Sequence, residues 1–403
     1  ELSGSWASER SVVDKRQTLE GLFHNLYLVN MDNLGKEISS FEKLMTLLEV
    51  KLLPSFLLTL LYCRQQSPTK NATILFSSGS EGEPKGVEIT NQNIMANVKQ
   101  ITDILNMEDD DVIMANLPLF HAFGLTVTQF TPLLEGLPMI CHADPTDVLG
   151  SAKAIGKYKA TVLFGTSTFL RLYARNKKIH PLMLDSLRVV IAGAEKLNNE
   201  VRNAFSLKFN VDVYEGYGAT ETTPVASVNL PDKIDSGSWK VQLGNRRGSV
   251  GMPLPGSSCM IVDPETWQEL DSGEAGMILI GGPQVMRGYL KNTAKTDSAI
   301  KEINNTRWYV TGDKGYLDED GFLFIVDRYS RFAKIGGEMV SLSAVESAIQ
   351  TVFNDAEKEV VVTAVPEEKK GEKLISLIDH EINEGNINNQ LIENGRNALE
   401  VPR

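Results

Sequence analysis

Residues 160–165 read ATVLFG, and residues 187–193 read LRVVIAG. Each is a short, nearly continuous apolar run that ends in a glycine, which is typical of strands buried on both faces of a sheet. Similar runs lie on either side of them: ATILF at 72–76, DVIMANL at 111–117 and VDVYEGYG at 211–218. We therefore predict a series of short buried strands between about residue 73 and residue 217.

Stretches with helical spacing separate these strands. Apolar residues recur at that spacing in two of them, at Ile94, Val98, Ile101 and Leu105 and at Val201, Phe205 and Phe209. Thr90 precedes the first set and is a candidate N-cap. Alternating strands and helices favour an α/β fold, in which helices lie on both faces of a mostly parallel sheet.

The residue composition of the chain changes after about residue 240. Glycine and proline become frequent, as in GSVGMPLPG at 248–256, which favours short strands with tight turns and a β-rich subdomain. From Asp327 onward the chain is highly charged and alternates helix with strand again. We predict a domain boundary near Arg328, with a large N-terminal domain over 1–327 and a small C-terminal α+β domain over 328–403.

Composition limits the function classes. The 403 residues carry a formal net charge of -12, which disfavours sequence-independent nucleic-acid binding. The three cysteines are far apart and form no CxxC motif, so we expect a reducing, cytoplasmic location. The acidic run EDDD at 108–111 is most simply a solvated turn.

The most apolar run, LLPSFLLTLLY at 52–62, is about half as long as the ~20 residues of a membrane span. Pro54 lies inside it. We predict either a packed helix or a helix that rests on the inner face of the cytoplasmic membrane as a peripheral contact.

Glycines, small hydroxyl residues and a lysine crowd one loop, SSGSEGEPKG at 77–86. The spacing matches neither GxxxxGK[ST] nor GxGxxG. Backbone N–H groups near its glycines could still converge on a phosphate, and an ordinary flexible loop is the alternative. The candidate phosphate-binding residues are Ser77, Ser78, Gly79, Ser80, Glu81, Gly82 and Lys85.

Two further stretches place polar side chains beside glycines. EGYGATETTP at 215–224 follows a predicted strand, where parallel sheets bind ligands. Tyr217 can stack on a base, Thr220 can donate to a phosphate, and Glu221 can bind Mg²⁺ together with phosphate oxygens. In WYVTGDKG at 308–315, the Asp313 carboxylate can accept hydrogen bonds from both ribose hydroxyls.

Taken in order, these stretches resemble the adenylate-forming acyl ligases, the superfamily of acyl-CoA synthetases, luciferases and peptide-synthetase adenylation domains. The resemblance covers about residues 70–403. The matching motifs are SSGSEGEPKG, PLFHAFG (118–124), IAGAEKL (191–197), EGYGATE (215–221), WYVTGD (308–313) and DRYSRFAKIGGEMV (327–340).

The resemblance implies that the small C-terminal domain is a mobile lid. It also implies two half-reactions and assigns residues to them. A carboxylate attacks the α-phosphorus of ATP with Mg²⁺ present, and a thiol then attacks the resulting acyl-adenylate. Besides the phosphate loop, the implied ATP- or AMP-binding residues are Gly193, Ala194, Glu195, Glu215, Gly216, Tyr217, Gly218, Thr220, Asp313 and Arg328. The implied catalytic residues are Glu221, which also binds the metal, Thr220, His121 and Lys85, and the implied acyl pocket is His121, Phe123, Gly124, Phe164 and Gly165. For His121 alone, a core histidine beside Phe120 is the alternative.

A narrower resemblance concerns Glu81, which stands where this superfamily usually has threonine. It points to the branch of bacterial 2-acylglycerophosphoethanolamine acyltransferase / acyl-[acyl-carrier-protein] synthetase, in which an acyltransferase domain precedes the ligase domain. The implied partners are a fatty acid, acyl carrier protein or coenzyme A, and an acyltransferase domain of the same polypeptide. We expect only the ligase half in this chain and predict that Glu81 points outward or reaches a cation.

Three departures from the family pattern qualify these expectations. The chain ends before the C-terminal lysine segment of the family, and only about 70 residues precede the phosphate loop. The usual Asp or Lys of the family hinge is replaced by Ser330. We therefore expect the N-terminal domain to be incomplete and the lysine to lie outside this chain, which leaves a module that binds acyl-adenylate or AMP without turnover as an alternative function.

Overall fold

The computed structural model describes residues 38–63, 67–78, 84–335, 338–353, 360–367, 371–378 and 390–392. The chain divides into two compact units, residues 1–66 and residues 67–403. The predicted boundary between residues 327 and 328 lies within the second unit and stays a prediction.

The helices have the following bounds: α1 Ser40–Leu52, α2 Ser55–Tyr62, α3 Asn91–Leu105, α4 Thr131–Glu135, α5 Val148–Tyr158, α6 Ser167–Arg175, α7 Asn199–Phe209, α8 Thr293–Ala299 and α9 Leu342–Phe353. A π-helix spans Gly124–Phe130, and 3₁₀ turns span Pro181–Leu184, Thr220–Thr222 and Tyr329–Arg331.

The strands have the following bounds: β1 Asn71–Ser78, β2 Pro84–Thr90, β3 Ile113–Ala115, β4 Met139–Cys141, β5 Val162–Gly165, β6 Val189–Ala192, β7 Val213–Gly218, β8 Val225–Val228, β9 Lys233–Asp235, β10 Lys240–Gln242, β11 Met252–Pro253, β12 Ser258–Val262, β13 Gly276–Gly281, β14 Gly288–Tyr289, β15 Ile300–Ile303, β16 Thr306–Leu317, β17 Leu323–Arg328, β18 Phe332–Ile335, β19 Glu338–Ser341, β20 Val360–Glu367 and β21 Gly371–Ile378.

In the first unit, the apolar run at 52–62 is divided between two helices. Ser39 caps α1 through a capping box with Glu42, and the chain breaks at Leu53 and Pro54 before α2 begins. Neither helix buries a side chain in the described part of the chain. No helix among the described residues is long and apolar enough to cross a bilayer.

A largely parallel sheet forms the centre of the second unit, as the sequence predicts. The described strands run in the order β11-β8-β7-β6-β5-β3-β4, and β3 to β7 are parallel to one another, whereas β8 pairs antiparallel with β7. If the five parallel strands are numbered 1 to 5 along the chain from β3, their order across the sheet is 2-1-3-4-5. The direction in which successive strands are added therefore reverses between β3 and β5. Sheets of this order bind ligands outside the carboxyl ends of the strands at such a reversal.

Helices cover both faces of this sheet, which confirms the α/β fold. On one face, α5, α6 and α7 pack around Leu163, Leu170 and Phe205. On the other face, α3 and the π-helix pack around Ile113 and Phe164. The residues predicted to face the core from α3 and α7 are all buried, and Thr90 caps α3 by accepting a hydrogen bond from the Asn93 N–H.

The predicted β-rich region is present, with one correction. The run ATILF lies in β1, which pairs antiparallel with β2 in a separate three-stranded sheet, β1-β2-β14. Strands β12, β13, β15, β16 and β17 form a five-stranded antiparallel sheet. Because β14 pairs with β2, this late part of the chain lies beside the strand that follows the phosphate loop.

The C-terminal strands form a sheet of their own, β19-β18-β21-β20, with α9 packed on it. Asp327, the last residue before the predicted boundary, is buried and accepts hydrogen bonds from the hydroxyls of Ser341 and Ser343 at 2.5 Å and 3.0 Å. This carboxylate therefore connects β17 to the start of α9.

The prediction that the acidic run at 108–111 is a solvated turn is wrong for its last residue. Asp111 is only 2% exposed, and its carboxylate accepts hydrogen bonds from Arg188 and from the Thr161 hydroxyl, the latter at 2.6 Å. Burial acts to raise the pKa of this carboxyl, but Arg188, Thr161 and a backbone N–H outweigh it and hold the pKa below the ordinary value of 3.8. The prediction failed because Arg188 is far away in sequence and its position depends on the sheet.

Candidate active site

A cavity of about 780 Å³ opens at the carboxyl edge of the parallel sheet. Its wall includes residues that follow β3, β6 and β7, together with residues of β1, β2 and β16. Of the residues predicted from the sequence, the lining contains Ser77, Lys85, His121, Phe123, Phe164, Gly193, Ala194, Gly216, Tyr217, Gly218, Thr220, Glu221, Asp313 and Arg328. Residues from all six motifs therefore line one space.

Both ends of the predicted phosphate loop are fixed by strand pairing. Ser77 lies opposite Lys85 and Ser78 lies opposite Pro84 in the antiparallel pair β1–β2. Ser77 and Lys85 line the cavity. Gly79, Ser80, Glu81 and Gly82 lie outside the described residues, as does the side chain of Ser78, so the expectation for Glu81 stays a prediction.

Thr220 and Glu221 lie in a 3₁₀ turn directly after β7. The turn is tight, since a Cβ atom at Gly218 would lie only 1.8 Å from the Pro224 carbonyl oxygen, a distance that only glycine permits. Glu221 is 8% exposed, and its Oε1 accepts a hydrogen bond of 2.8 Å from the Tyr289 hydroxyl. Its backbone carbonyl accepts from the Met286 N–H at 2.8 Å, which connects the turn to the segment before β14.

Sequence reasoning missed Tyr289 and Tyr309, which both line the cavity. Burial raises the pKa of each hydroxyl, and the nearby Glu221 carboxylate adds to the effect, so both remain protonated donors. Tyr289 follows Gly288 and lies four residues before α8 begins, but no sequence pattern relates it to Glu221. The signal for Tyr309 was its place in WYVTGD, four residues before Asp313.

Asp313 is held between a tyrosine and an arginine. Its Oδ2 accepts a 2.5 Å hydrogen bond from the Tyr217 hydroxyl, and its Oδ1 lies 3.3 Å from Arg328 Nε. Burial raises the pKa of the Asp313 carboxyl, while Tyr217 and Arg328 act in the opposite direction. Because the Arg328 side chain is 69% exposed, its charge is available to a ligand at the cavity mouth.

Strand β16 supplies several of these groups from one face. Tyr309, Thr311 and Asp313 alternate along it at two-residue spacing, and all three line the cavity. The Thr311 hydroxyl donates to the Ile278 carbonyl on β13 and accepts from the Asp313 N–H at 3.0 Å. The register of the five-stranded sheet therefore sets the position of Asp313 relative to the parallel sheet.

The other end of the cavity is apolar. Its lining includes Ile101, Leu105, Phe123, Val127, Phe164, Ile191 and Val228. The Phe123 and Phe164 rings meet edge to face, with centroids 6.0 Å apart. A Cβ atom at Gly193 would lie 3.2 Å from the Phe123 ring, so glycine lets the β6 turn approach this wall closely.

His121 lies with both the polar and the apolar residues in the lining. Its Nδ1 accepts from the Phe123 N–H at 3.2 Å, which places the proton of the neutral ring on Nε2. Desolvation lowers the pKa of His121 below its usual range, so the ring is neutral at pH 7. The neighbouring strand end carries Ala194 with φ +68°, a strained conformation for a residue with a side chain.

Of the predicted residues whose side chains the structure describes, four do not line the cavity. The Glu195 carboxylate accepts from the Thr168 N–H at the start of α6, and Glu215 is buried against Arg202 with an Nη2–Oε2 distance of 2.9 Å. Gly124 packs against the Pro118 carbonyl and Gly165 against Leu170. These contacts lie outside the cavity lining and stabilise the elements that form its wall.

A second histidine contact lies outside the cavity lining. His142 and Asp147 lie five residues apart in the sequence, and their Nε2 and Oδ2 atoms are 3.2 Å apart. Asp147 also caps α5 by accepting from the Gly150 N–H at 2.9 Å. The pair therefore has a structural role at the start of a helix.

The donor set fits a nucleotide with its magnesium ion. Among the described residues, no cluster of three or more His, Cys, Asp or Glu side chains could hold a metal with protein ligands alone. Glu221 is a single carboxylate beside Thr220 and Lys85 in the same lining, which suits an ion that one or two carboxylates share with phosphate oxygens.

Comparison with known proteins agrees with this geometry. The family model described as AMP-binding enzyme matches residues 30–290. The chain belongs to the AMP-binding enzyme family. Ligases of this family use ATP with Mg²⁺, the cofactors that the sequence predicts.

Curated members of the AMP-binding family resemble this chain over most of its length. It is 32% identical over 304 residues to a long-chain-fatty-acid–CoA ligase of Salmonella typhimurium, covering 75% of this chain and 51% of the relative. It is 31% identical over 330 residues to 4-coumarate–CoA ligase 1 of Arabidopsis thaliana, covering 80% and 57%. The chain thus spans about half the length of the curated relatives it matches.

Solved structures of the family share the fold. ATP-bound MatB from Rhodopseudomonas palustris has a TM-score of 0.72 at 28% identity, covering 84% of this chain and 64% of that one. O-succinylbenzoate coenzyme A synthetase (MenE) from Bacillus subtilis, in complex with AMP, has a TM-score of 0.68 at 26% identity, covering 83% and 65%.

Proposed function

We propose that this AMP-binding enzyme uses ATP to convert a fatty acid into an acyl-adenylate and then transfers the acyl group to a thiol. The observation that carries this proposal is the cavity, which joins a charged end at Lys85, Glu221 and Asp313 to an apolar end at Leu105 and Phe164. Such a space suits a ligand that is a nucleotide at one end and a hydrocarbon chain at the other.

The nucleoside would bind along β6, β7 and β16. Tyr217 stacks on adenine, with Gly193 and Ala194 beside it, and Asp313 and Arg328 bind the ribose hydroxyls. This assignment is supported by the Tyr217–Asp313 hydrogen bond, which fixes the ring and the carboxylate relative to each other. A rigid pair of this kind needs little reorganisation when the nucleotide arrives.

The phosphates would bind at Ser77, Lys85, Thr220 and Glu221. Lys85 supplies positive charge, Thr220 donates to the α-phosphate, and Glu221 holds Mg²⁺. When bound, the ion would neutralise phosphate charge so that an anionic carboxylate can approach. The chain's own part is to fix Glu221 through Tyr289 and to hold Lys85 on β2.

The acyl group would lie in the apolar end, with its carboxylate near His121. Because His121 is neutral at pH 7 and carries its proton on Nε2, it can donate one hydrogen bond to the carboxylate or to the α-phosphate without adding charge. The walls at Phe123, Phe164 and Leu105 exclude water from the reacting carboxylate.

The thiol acceptor separates two forms of the proposal. The resemblance at Glu81 favours acyl carrier protein, with the product supplying the reacylation of a lysophospholipid such as 2-acylglycerophosphoethanolamine by an acyltransferase domain of the same polypeptide. The curated relatives named above are coenzyme A ligases, which supports coenzyme A as the second candidate.

An acceptor assay tests the proposal. The full-length protein is incubated with ATP, Mg²⁺ and palmitate, and with acyl carrier protein or coenzyme A. Mass spectrometry then detects the acyl thioester. We expect product on acyl carrier protein; product on coenzyme A alone would select the second candidate. Absence of fatty-acid-dependent ATP/pyrophosphate exchange with any C8–C18 acid would overturn the adenylation step itself.

We further propose a cytoplasmic protein that contacts the membrane surface through α1 and α2. The exposed apolar side chains of these helices support this proposal, among them Leu52, Phe56 and Leu60. Co-sedimentation with anionic liposomes measures the contact, and a protein that stays in the supernatant would contradict it.

A further inference from the structure

We propose that Tyr289, supported by Tyr309, is a positioning residue that holds the Glu221 carboxylate in place for the metal–nucleotide complex. The inference rests on the proposed function, because it assigns Glu221 to Mg²⁺. It adds to that function a pair of tyrosines that do not themselves bind the metal.

The first contact is the hydrogen bond from the Tyr289 hydroxyl to Glu221 Oε1, at 2.8 Å. Both residues are buried, Tyr289 at 7% and Glu221 at 8% exposure, so water competes little for either group. No hydrogen bond to Oε2 occurs in the described part of the chain, which leaves that oxygen for a ligand. A carboxylate fixed through one oxygen presents the other with a defined orientation.

The ring of Tyr289 also contacts the phosphate-binding end of the cavity. Lys85 Nζ lies 5.5 Å from the centroid of the ring, within the range of a cation–π interaction. One side chain therefore contacts both Lys85 and Glu221. Strand pairing fixes this arrangement, since Tyr289 lies opposite Val87 on β2, two residues after Lys85.

Tyr309 lies beside Tyr289 and supports it, without a hydrogen bond of its own to Glu221 among the described residues. The Tyr309 hydroxyl acts on that of Tyr289 in the direction expected of a donor, because it lowers the Tyr289 pKa, and Tyr289 in turn donates to Glu221. Tyr309 is 6% exposed and lies on β16, the strand that carries Asp313. The pair thus connects the carboxylate proposed for the metal to the strand proposed for the ribose.

The chemistry of the donors matters here. A phenol hydroxyl is neutral, so it orients a carboxylate without cancelling its negative charge. An arginine in the same place would form an ion pair with Glu221 and compete directly with a cation. The structure uses neutral donors at a position where the proposed ligand needs the full charge.

Direct metal binding tests this inference without relying on turnover. The probe is Mn²⁺, titrated into the full chain with saturating β,γ-methylene ATP, and free Mn²⁺ is followed by electron paramagnetic resonance. Tyr289→Phe keeps the ring beside Lys85 and removes only the hydroxyl. We expect its Kd for Mn²⁺ to rise about 10-fold or more, because loss of a partner of a metal ligand typically costs 10–100-fold.

Two further variants make the result specific. Tyr309→Phe alone should weaken Mn²⁺ binding in the same direction by a smaller factor, and it should have little further effect in the Tyr289→Phe background, because the chain of donors is already broken. Tyr173→Phe is the matched control, since Tyr173 is a buried tyrosine outside the cavity lining whose hydroxyl accepts from Asn116 at 3.2 Å. Its Kd for Mn²⁺ should equal that of the wild type.

The outcomes separate this inference from the function on which it rests. Wild-type binding of Mn²⁺ with unchanged binding by Tyr289→Phe would overturn the positioning role and leave the proposed function intact. Absence of Mn²⁺–nucleotide binding by the wild type would overturn both. Equal losses in Tyr289→Phe and Tyr173→Phe would assign the effect to general destabilisation and also overturn the inference.

Discussion

At the amino edge of the parallel sheet, Asp111, Thr161 and Arg188 stand just before β3, β5 and β6 and bind one another. At the carboxyl edge, Glu221 stands after β7 and accepts from the neutral Tyr289 hydroxyl instead. Both carboxylates are nearly inaccessible to solvent, at 2% for Asp111 and 8% for Glu221. The two edges thus bury the same chemical group with different partners.

The identity of the partner decides what the carboxylate can do. Arg188 neutralises Asp111, and backbone hydrogen bonds between Thr161 and both Val112 and Arg188 draw the starts of the strands together. Among the described residues, Glu221 has no ion-pair partner, so its charge remains available to a ligand. We infer that the amino edge serves stability and that the carboxyl edge serves binding.

The Glu221→Gln variant should show the largest effect that tests this contrast, and the effect is on catalysis. Glutamine keeps the size of the side chain but removes the charge, so fatty-acid-dependent ATP/pyrophosphate exchange should fall by about 100-fold or more. The midpoint of urea unfolding should change little, because no buried cation is left without a partner. Unchanged exchange would remove Glu221 from the proposed metal role.

Much of the carboxyl edge could be predicted from the sequence. Short apolar runs that end in glycine located β5 and β6, and polar residues beside glycines located Thr220, Glu221 and Asp313. For Thr220 and Glu221, which follow β7, local patterns are enough to place them at the cavity, because strand ends in a parallel sheet meet at a common edge. The position of Asp313 in the same lining depends instead on the antiparallel strand β16. The α3 and α7 core positions were predictable because helical spacing is local.

The contacts of Asp111 at the amino edge and the contact between Tyr289 and Glu221 could not be predicted in this way. Asp111 was expected in solvent because three strands and three α-helices lie between it and its partner Arg188 in the sequence. Tyr289 was missed because its contact with Glu221 depends on the pairing of β14 with β2 in a different sheet. Neither contact leaves a periodic or adjacent signal in the sequence.

The second effect concerns stability at the amino edge. Arg188→Met leaves the buried Asp111 carboxylate without its cation, and because Arg188 is one-third exposed we expect a loss of about 2 kcal/mol at pH 7, less than for a fully buried pair. The folded-state pKa of Asp111 lies below its ordinary value of 3.8, so the contribution is present above that pH and lost as the pH falls through the lowered pKa. Urea unfolding at pH 7, 5 and 3 should therefore show a gap between wild type and variant that closes with acid.

The Arg188→Met variant is also the control for Glu221→Gln. Exchange activity per folded molecule should equal that of the wild type, because Arg188 lies outside the cavity lining. A gap in stability that stayed constant down to pH 3 would show that the ion pair is not its source. A large loss of exchange in this variant would contradict the division of roles between the two edges.

The smallest effect concerns Asp313, which combines both kinds of partner, Tyr217 and the exposed Arg328. Burial raises the pKa of Asp313 in the folded state, so its ionised form costs stability at pH 7, and Asp313→Asn should not lower the free energy of unfolding. The variant replaces a charge-assisted hydrogen bond to the ribose with a neutral one, which should weaken AMP binding by about 10-fold in calorimetric titration.

The matched control ligand for Asp313→Asn is 2′,3′-dideoxy-AMP. It lacks the hydroxyls that Asp313 would bind, so wild type and variant should bind it equally. If the variant lost affinity for both nucleotides to the same extent, Asp313 would act on the fold of the cavity and not on the ribose, and the carboxyl edge would then resemble the amino edge at this position.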